Sequence, residues 1–143
     1  MTVVRLPVLT ELPTGFEALR SDARSEGHTN MERLAADWAS GSNRFEAKGE
    51  ALLAAFVTGD LAGVGGMTVD PTCSQALRLR RFHVRPVFRR LGVGRCLALA
   101  LVDRARLLTD RLVLNAETDL ATRFWEALGF VAERCDGHTH VWP

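Results

Sequence analysis

The 143-residue chain has no tyrosine, one lysine (Lys48) among 18 basic residues, and three widely separated cysteines, Cys73, Cys96 and Cys135. The lysine scarcity carries no functional reading, but the other shortages remove whole classes of chemistry. Without tyrosine, no phenol can serve as a general acid. An odd number of cysteines with no Cys-x-x-Cys pair indicates neither a disulfide framework nor a thiolate metal site, and reduced thiols fit a cytoplasmic setting. No basic segment followed by an apolar one opens the sequence. The longest apolar run, Cys96 to Val102, is far too short to span a bilayer, so a soluble protein is expected. A formal net charge of +1 leaves no whole-molecule field to draw the chain to nucleic acid or to a membrane.

What remains is ordinary globular material, 47% hydrophobic and 24% charged, in a length that fits one domain over residues 1–143. Val3 to Leu9 reads as an opening strand. Two short helices follow, each introduced by a Thr-x-x-Glu capping box, Thr14 with Glu17 and Thr29 with Glu32. Ala39 to Gly49 is a loop. Ala51 to Val57 and Leu61 to Val69 form a hairpin around Gly59-Asp60. Ala76 to Val84 is a further strand in which Leu77 and Leu79 share one parity and Phe82 and Val84 the other, which predicts a bulge near Arg80 and Arg81. A largely apolar helix runs from about Gly94 to Leu108, and Leu112 to Leu114 is a buried strand. Thr118 or Asp119 caps the next helix, Gly129 stops it, and two strands, Phe130 to Cys135 and His138 to Trp142, close the chain around Asp136-Gly137. The fold class is α/β in the broad sense (α+β), strands and helices mixed around one sheet.

Charge concentrates where the total hides it. Between residues 78 and 95 stand seven arginines (Arg78, Arg80, Arg81, Arg85, Arg89, Arg90, Arg95) and no acidic residue. This run ends in Arg89-Arg90-Leu91-Gly92-Val93-Gly94 between a strand and a helix, where amides at a helix N-terminus favour an anion and the glycines allow close approach. A pyrophosphate suits such a nest, with Arg89, Arg90 and Arg95 adding charge-assisted contacts. The segment lacks the GxxxxGK of a P-loop and the full GxGxxG of a dinucleotide fingerprint. A solvated face and a nucleic-acid stripe are the competing readings. The second would want aromatic side chains interleaved with the arginines, and only Phe82 and Phe88 are available.

VRPVFRRLGVGRCLALALVDRAR resembles the acyl-CoA-binding signature of the GNAT superfamily, Arg/Gln-x-x-Gly-x-Gly/Ala, here Arg89 to Gly94. ATRFWEALGF resembles the second conserved segment of that family. Together they cover about Leu77 to Val131. The resemblance implies a mixed, mostly antiparallel sheet of six to seven strands flanked by about four helices, with splayed fourth and fifth strands. It implies an N-acetyltransferase that moves an acetyl group from acetyl-CoA directly to a primary amine, without a metal. Residue by residue, it implies that Arg90, Leu91, Gly92, Val93, Gly94 and Arg95 hold the CoA pyrophosphate through their amides. Phe82 and Val84 would meet the pantetheine arm with backbone groups, one of them an oxyanion donor, and Asn115 and Trp125 would line it. A homodimer is a further family expectation.

The sequence departs from the family pattern at Trp125, which occupies the position where many members carry a tyrosine that protonates the leaving thiolate. An indole N–H donates a hydrogen bond but is no general acid. A thiol with a reference pKa of about 8.5 leaves with modest help, so the reaction class survives. Glu117 and His83 are the candidates for the base that takes the amine's proton, with a water relay as the substitute. His138 and His140 share a strand face and could bind a metal, but ordinary polar strand positions fit better, since no further ligand has a recognisable spacing. The alternative function is an acyl-CoA sensor or partner module without turnover.

Overall fold

A computed structural model describes residues 4–135 and 137–143. Seven strands form one sheet in the order β1-β2-β3-β4-β5-β7-β6. They are β1 (Val4–Arg5), β2 (Ala51–Val57), β3 (Asp60–Asp70), β4 (Cys73–Val84), β5 (Leu112–Leu114), β6 (Val131–Cys135) and β7 (His138–Val141). Four helices cover it: α1 (Phe16–Ser25), α2 (Asn30–Ser40), α3 (Val93–Arg106) and α4 (Asp119–Leu128). Every neighbouring pair is antiparallel except β4 with β5, as the crossover through α3 requires. This is the mixed, mostly antiparallel sheet expected from the sequence.

Strand alternation divides the core into two layers. Ala51, Leu53 and Ala55 of β2 pack with Leu97, Leu101 and Val102 of α3 and Trp125 of α4. Leu52 and Ala54 point the other way, to Phe16 and Leu19 of α1 and Met31 and Leu34 of α2. The hairpin between β2 and β3 turns through Thr58 (φ 52°) and Gly59 (φ 87°). Two successive left-handed residues match the right-handed twist of the flanking strands.

Some local expectations give way. The opening strand is shorter, Val4–Arg5 with an isolated bridge from Val8 to Leu53; Val3 and Asp136 lie outside the described residues. Neither capping box forms. Gly15, with φ 92°, begins α1, and Thr29 has helical dihedrals that keep its hydroxyl from the first-turn amides. Glu32 turns instead to Arg20, with bonds of 2.7 and 3.0 Å, and to Arg24, tying α2 to α1. Thr118 does cap α4, accepting from the Ala121 amide at 3.1 Å.

The predicted bulge is present. Gly66 pairs with Arg80 and Val64 with His83, so β4 spends one more residue than β3 over this interval, and Arg81 takes φ 56°. Glycine in β3 accommodates what the bulge brings close. A Cβ at Gly65 would lie 2.7 Å from the Phe82 ring and 2.9 Å from Leu101, and one at Gly66 would lie 2.4 Å from the Phe45 ring. Gly65→Ala is therefore expected to destabilise the fold by about 1–3 kcal/mol through overpacking. Urea unfolding should show a lower midpoint at unchanged slope.

Candidate active site

Pairing between β4 and β5 joins Leu77–Leu79 to Leu112–Leu114. Beyond Leu79, β4 has no strand partner on that side among the described residues, so the ladder ends and leaves a gap in the pairing between the last residues of β4 and segment 115–117. The Arg85 amide donates to the Ala62 carbonyl at 2.8 Å, so Arg85 faces β3. Ladder alternation then turns the backbone of Val84 away from β3 and into the gap. The carbonyls here have partners: Arg89 Nε donates to Val84 O at 3.1 Å, and Asn30 Nδ2 donates to Phe82 O at 3.0 Å.

The loop after β4 ends against the N-terminus of α3. Arg90 (φ 66°) and Gly92 (φ 79°) are both left-handed, and Gly92 is the N-cap without a side-chain cap. The amides of Val93, Gly94 and Arg95 have no acceptor within the helix. The two glycines do different work. A Cβ at Gly92 would meet nothing within 4 Å, so this backbone is open to a ligand, whereas one at Gly94 would lie 3.3 Å from the Phe124 ring. Gly94 thus lets α3 pack against α4. Val93 is buried and Leu91 half exposed.

Acidic partners from α1, α2, the residue after α1 and the end of β3 consume much of the arginine run. Arg85 bonds Asp22 at 2.6 Å, and Arg81 bonds Asp37 at 3.1 Å. Arg78 lies 4.0 Å from Asp70. Arg89 grips both carboxylate oxygens of Glu26 at 2.7 Å, so the contact expected of it with a pyrophosphate is committed to the protein itself. Arg90 and Arg95 are exposed and form no ion pair among the described residues. They are the cations left to the loop.

On the α3–α4 side, Phe82 packs against Phe124 and Trp125, with ring centroids 5.6 and 4.9 Å apart. Trp125 continues edge-on to Phe130, and Phe130 to Trp142. Trp125 is only 6% exposed and forms part of the core beneath the gap. Asn115 and Glu117 follow β5 in an exposed segment across the gap from β4, held by the Ala116 amide donating to Thr139 Oγ1 at 2.9 Å.

His83 sits on the α1–α2 side, 5% exposed, with Nε2 3.7 Å from Glu26 and without a hydrogen-bond partner. Burial, reinforced by the Arg89 charge, pushes its pKa down to about 4 against the opposing pull of Glu26. Arg89 in turn holds the Glu26 carboxyl below its ordinary value. The structure thus brings His83 together with Glu26, His28 and Arg89, and leaves Glu117 apart from them. His138 and His140 each meet a different carboxylate, Glu133 at 3.0 Å and Glu126 at 2.8 Å. No group of three or more metal-ligating side chains occurs among the described residues. A separate groove of about 510 Å³, lined by residues such as Lys48, Cys73 and Leu108, lies at the opposite end of β4. No helix among the described residues is long and apolar enough to cross a membrane.

The Acetyltransferase (GNAT) family profile matches residues 13–130. The chain belongs to the GNAT acetyltransferase family. A protein from Exiguobacterium sp. 255-15 assigned as an acetyltransferase is 26% identical, with a TM-score of 0.87 over 97% of this chain and 92% of that one. A GNAT-family protein from Desulfovibrio desulfuricans, assigned likewise, is 25% identical with a TM-score of 0.71 over 92% and 87%. Glucosamine-6-phosphate N-acetyltransferase from Arabidopsis thaliana is 14% identical with a TM-score of 0.65 over 93% and 95%, a likeness of fold. No curated protein matches the chain.

The acidic partners Asp22, Glu26 and Asp37, and the Asn30 amide on Phe82, were not singled out in the sequence. They lie 44 to 63 residues from the groups they bind, and no local spacing marks them.

The low pKa of His83 has a measurable consequence. The unfolded chain takes up a proton near pH 6.5 that the folded chain refuses until about pH 4. Stability therefore falls as pH drops through that window, by up to about 3 kcal/mol from this group. Glu26, Asp22, His28 and Arg89 surround it. His83→Gln should flatten the fall when urea midpoints are compared at pH 7.5 and pH 5.

Proposed function

We propose that this GNAT-family protein is an acyl-CoA-dependent N-acetyltransferase in which the β4–β5 gap holds the acyl donor and a primary amine is the acceptor. The observation that carries the reading is the coincidence of the gap with the α3 N-terminus. Val84 turns its backbone into the gap, and the open Gly92 backbone, flanked by Arg90 and Arg95, stands one short loop away. A ligand with an extended amide-containing arm and a pyrophosphate fits both ends, and acetyl-CoA has that chemistry.

In the reaction the amine nitrogen bonds to the thioester carbonyl carbon, the C–S bond breaks, the nitrogen's proton passes to a protein group or water, and CoA leaves as the thiolate and takes up a proton from solvent. The Val84 amide is the donor suited to the carbonyl oxygen as charge develops on it. His83, neutral at pH 7 with an unpartnered Nε2, and Glu117 across the gap are the two groups proposed to take the proton. A nitrogen bonded to the carbonyl carbon becomes acidic enough for a weak base such as His83 to serve. Trp125 supplies no proton to the leaving thiolate, and Asn115 and Phe82 complete the walls.

Thermal unfolding with acetyl-CoA, NAD and ATP tests donor binding. Acetyl-CoA at a hundredfold its dissociation constant should add about 2.7 kcal/mol, NAD and ATP much less. Gly92→Glu, which sets a side chain and a negative charge on the open backbone, should abolish the gain. Thiol release on an amine panel then tests transfer; binding without release on any amine would identify an acyl-CoA sensor. Trp125→Phe should retain kcat within about fivefold, whereas removal of a true general acid costs about 10²–10⁴.

A further inference from the structure

Among the described residues, five buried side-chain polar atoms have no hydrogen-bond partner: Asn30 Oδ1, Thr68 Oγ1, Arg80 Nε, Arg81 Nε and His83 Nε2. Buried polar atoms are rarely left so, and each calls for a polar partner. These five are not scattered. Thr68 pairs with Arg78 and Gly66 with Arg80 across β3 and β4, so Thr68, Arg78 and Arg80 share one face of the sheet. The bulge brings Arg81 to Asp37 of α2. His83 lies by Glu26, just beyond α1, and Asn30 opens α2 while holding Phe82 O. Arg80, Arg81, His83 and Asn30 thus lie on the side of β4 that faces the first two helices, with Thr68 on the same sheet face further from Val84.

The charge on this side of β4 selects its occupant. Arg81 and Arg78 have Asp37 and Asp70 near them. Arg80 has no carboxylate within 4.0 Å among the described residues, and Glu50, the other acid near it, accepts from the Val69 amide at 2.9 Å. Burial, with Arg81 and Arg78 alongside, holds the Arg80 guanidinium below its ordinary pKa despite Asp37 and Glu50. A half-buried guanidinium with an unused donor and two like charges beside it is poorly satisfied by water and well matched by an oxyanion.

Resting on the transfer reading above, we infer that Arg80, supported by Arg81, is the specificity element for the acceptor and binds a carboxylate or phosphate carried by the amine substrate. Arg80 stands four residues before Val84 on a strand that rises about 3.3 Å per residue, about 13 Å in all, a span that the long arginine side chain and a small acidic amine bridge together.

The test measures kcat/KM for acidic amines and their neutral counterparts, amino acids with their amides and phosphoethanolamine with ethanolamine, in the wild-type protein and Arg80→Gln. Comparing ratios between proteins cancels the amines' different pKa values. The wild type should favour the acidic member of at least one pair, and Arg80→Gln should cut that preference at least tenfold while leaving the neutral member and the acetyl-CoA-induced rise in Tm unchanged. The pair that responds tells carboxylate from phosphate. Arg80→Lys, which keeps the charge without the fork, should fall between. Equal loss for acidic and neutral amines, or no loss, overturns the inference. If no amine is acetylated while acetyl-CoA still stabilises the fold, the transfer reading fails and the anion site is judged by binding. Phosphoethanolamine or glycine should then raise Tm in the wild type and not in Arg80→Gln, and no rise with either overturns it.

Discussion

The extra residue that β4 carries at Arg81 decides where the rest of the strand points. Before it, Leu77 and Leu79 feed the α3 side of the core; after it, Phe82 and Val84 do so with the opposite parity. The shift seats the Phe82 ring over Gly65, carries Arg81 to Asp37 and leaves His83 facing Glu26. It also falls at the start of the stretch, beyond Leu79, in which β4 no longer pairs with β5. Without the bulge, Val84 would present a different edge to the gap.

A second constraint follows from it. A strand with this many arginines can be packed against helices only if those helices bring acids, and α1, α2 and the residue after α1 do so with Asp22, Asp37 and Glu26. The Arg89 clamp on Glu26 and Val84 O fixes the end of β4 relative to α1, and so fixes the start of the loop that leads into α3. Desolvation of charges is tolerable when they are paired and hydrogen-bonded, and costly when they are not. Arg80 and His83, each with a buried nitrogen that has no hydrogen-bond partner and neither with a carboxylate in hydrogen-bonding contact, stand out for that reason.

Much of this was legible in the sequence. The parity switch between Leu79 and Phe82 located the bulge, because strand alternation is strict. The glycines and arginines before an apolar run mark the helix N-terminus, and of the two candidate caps Thr118 and Asp119 it is Thr118 that caps α4. The capping boxes at Thr14 and Thr29 do not form: a spacing of three residues is necessary for such a box, but Glu32 found stronger partners in Arg20 and Arg24 on another helix. The arginine patch was over-read for the same reason. Its neutralising acids lie dozens of residues away, and only the packing of α1 and α2 onto β4 brings them in. The burial that lowers the His83 pKa is likewise a property of the assembled layers.

If the diverging ends of β4 and β5, together with the α3 N-terminus, form the proposed acyl-CoA cleft, adding acetyl-CoA should slow amide hydrogen exchange in peptides covering residues 82–96 and 112–118 and leave the groove at Cys73 and Leu108 unchanged. Protection confined to that groove, or no protection at either place at saturating acetyl-CoA, rules that cleft out.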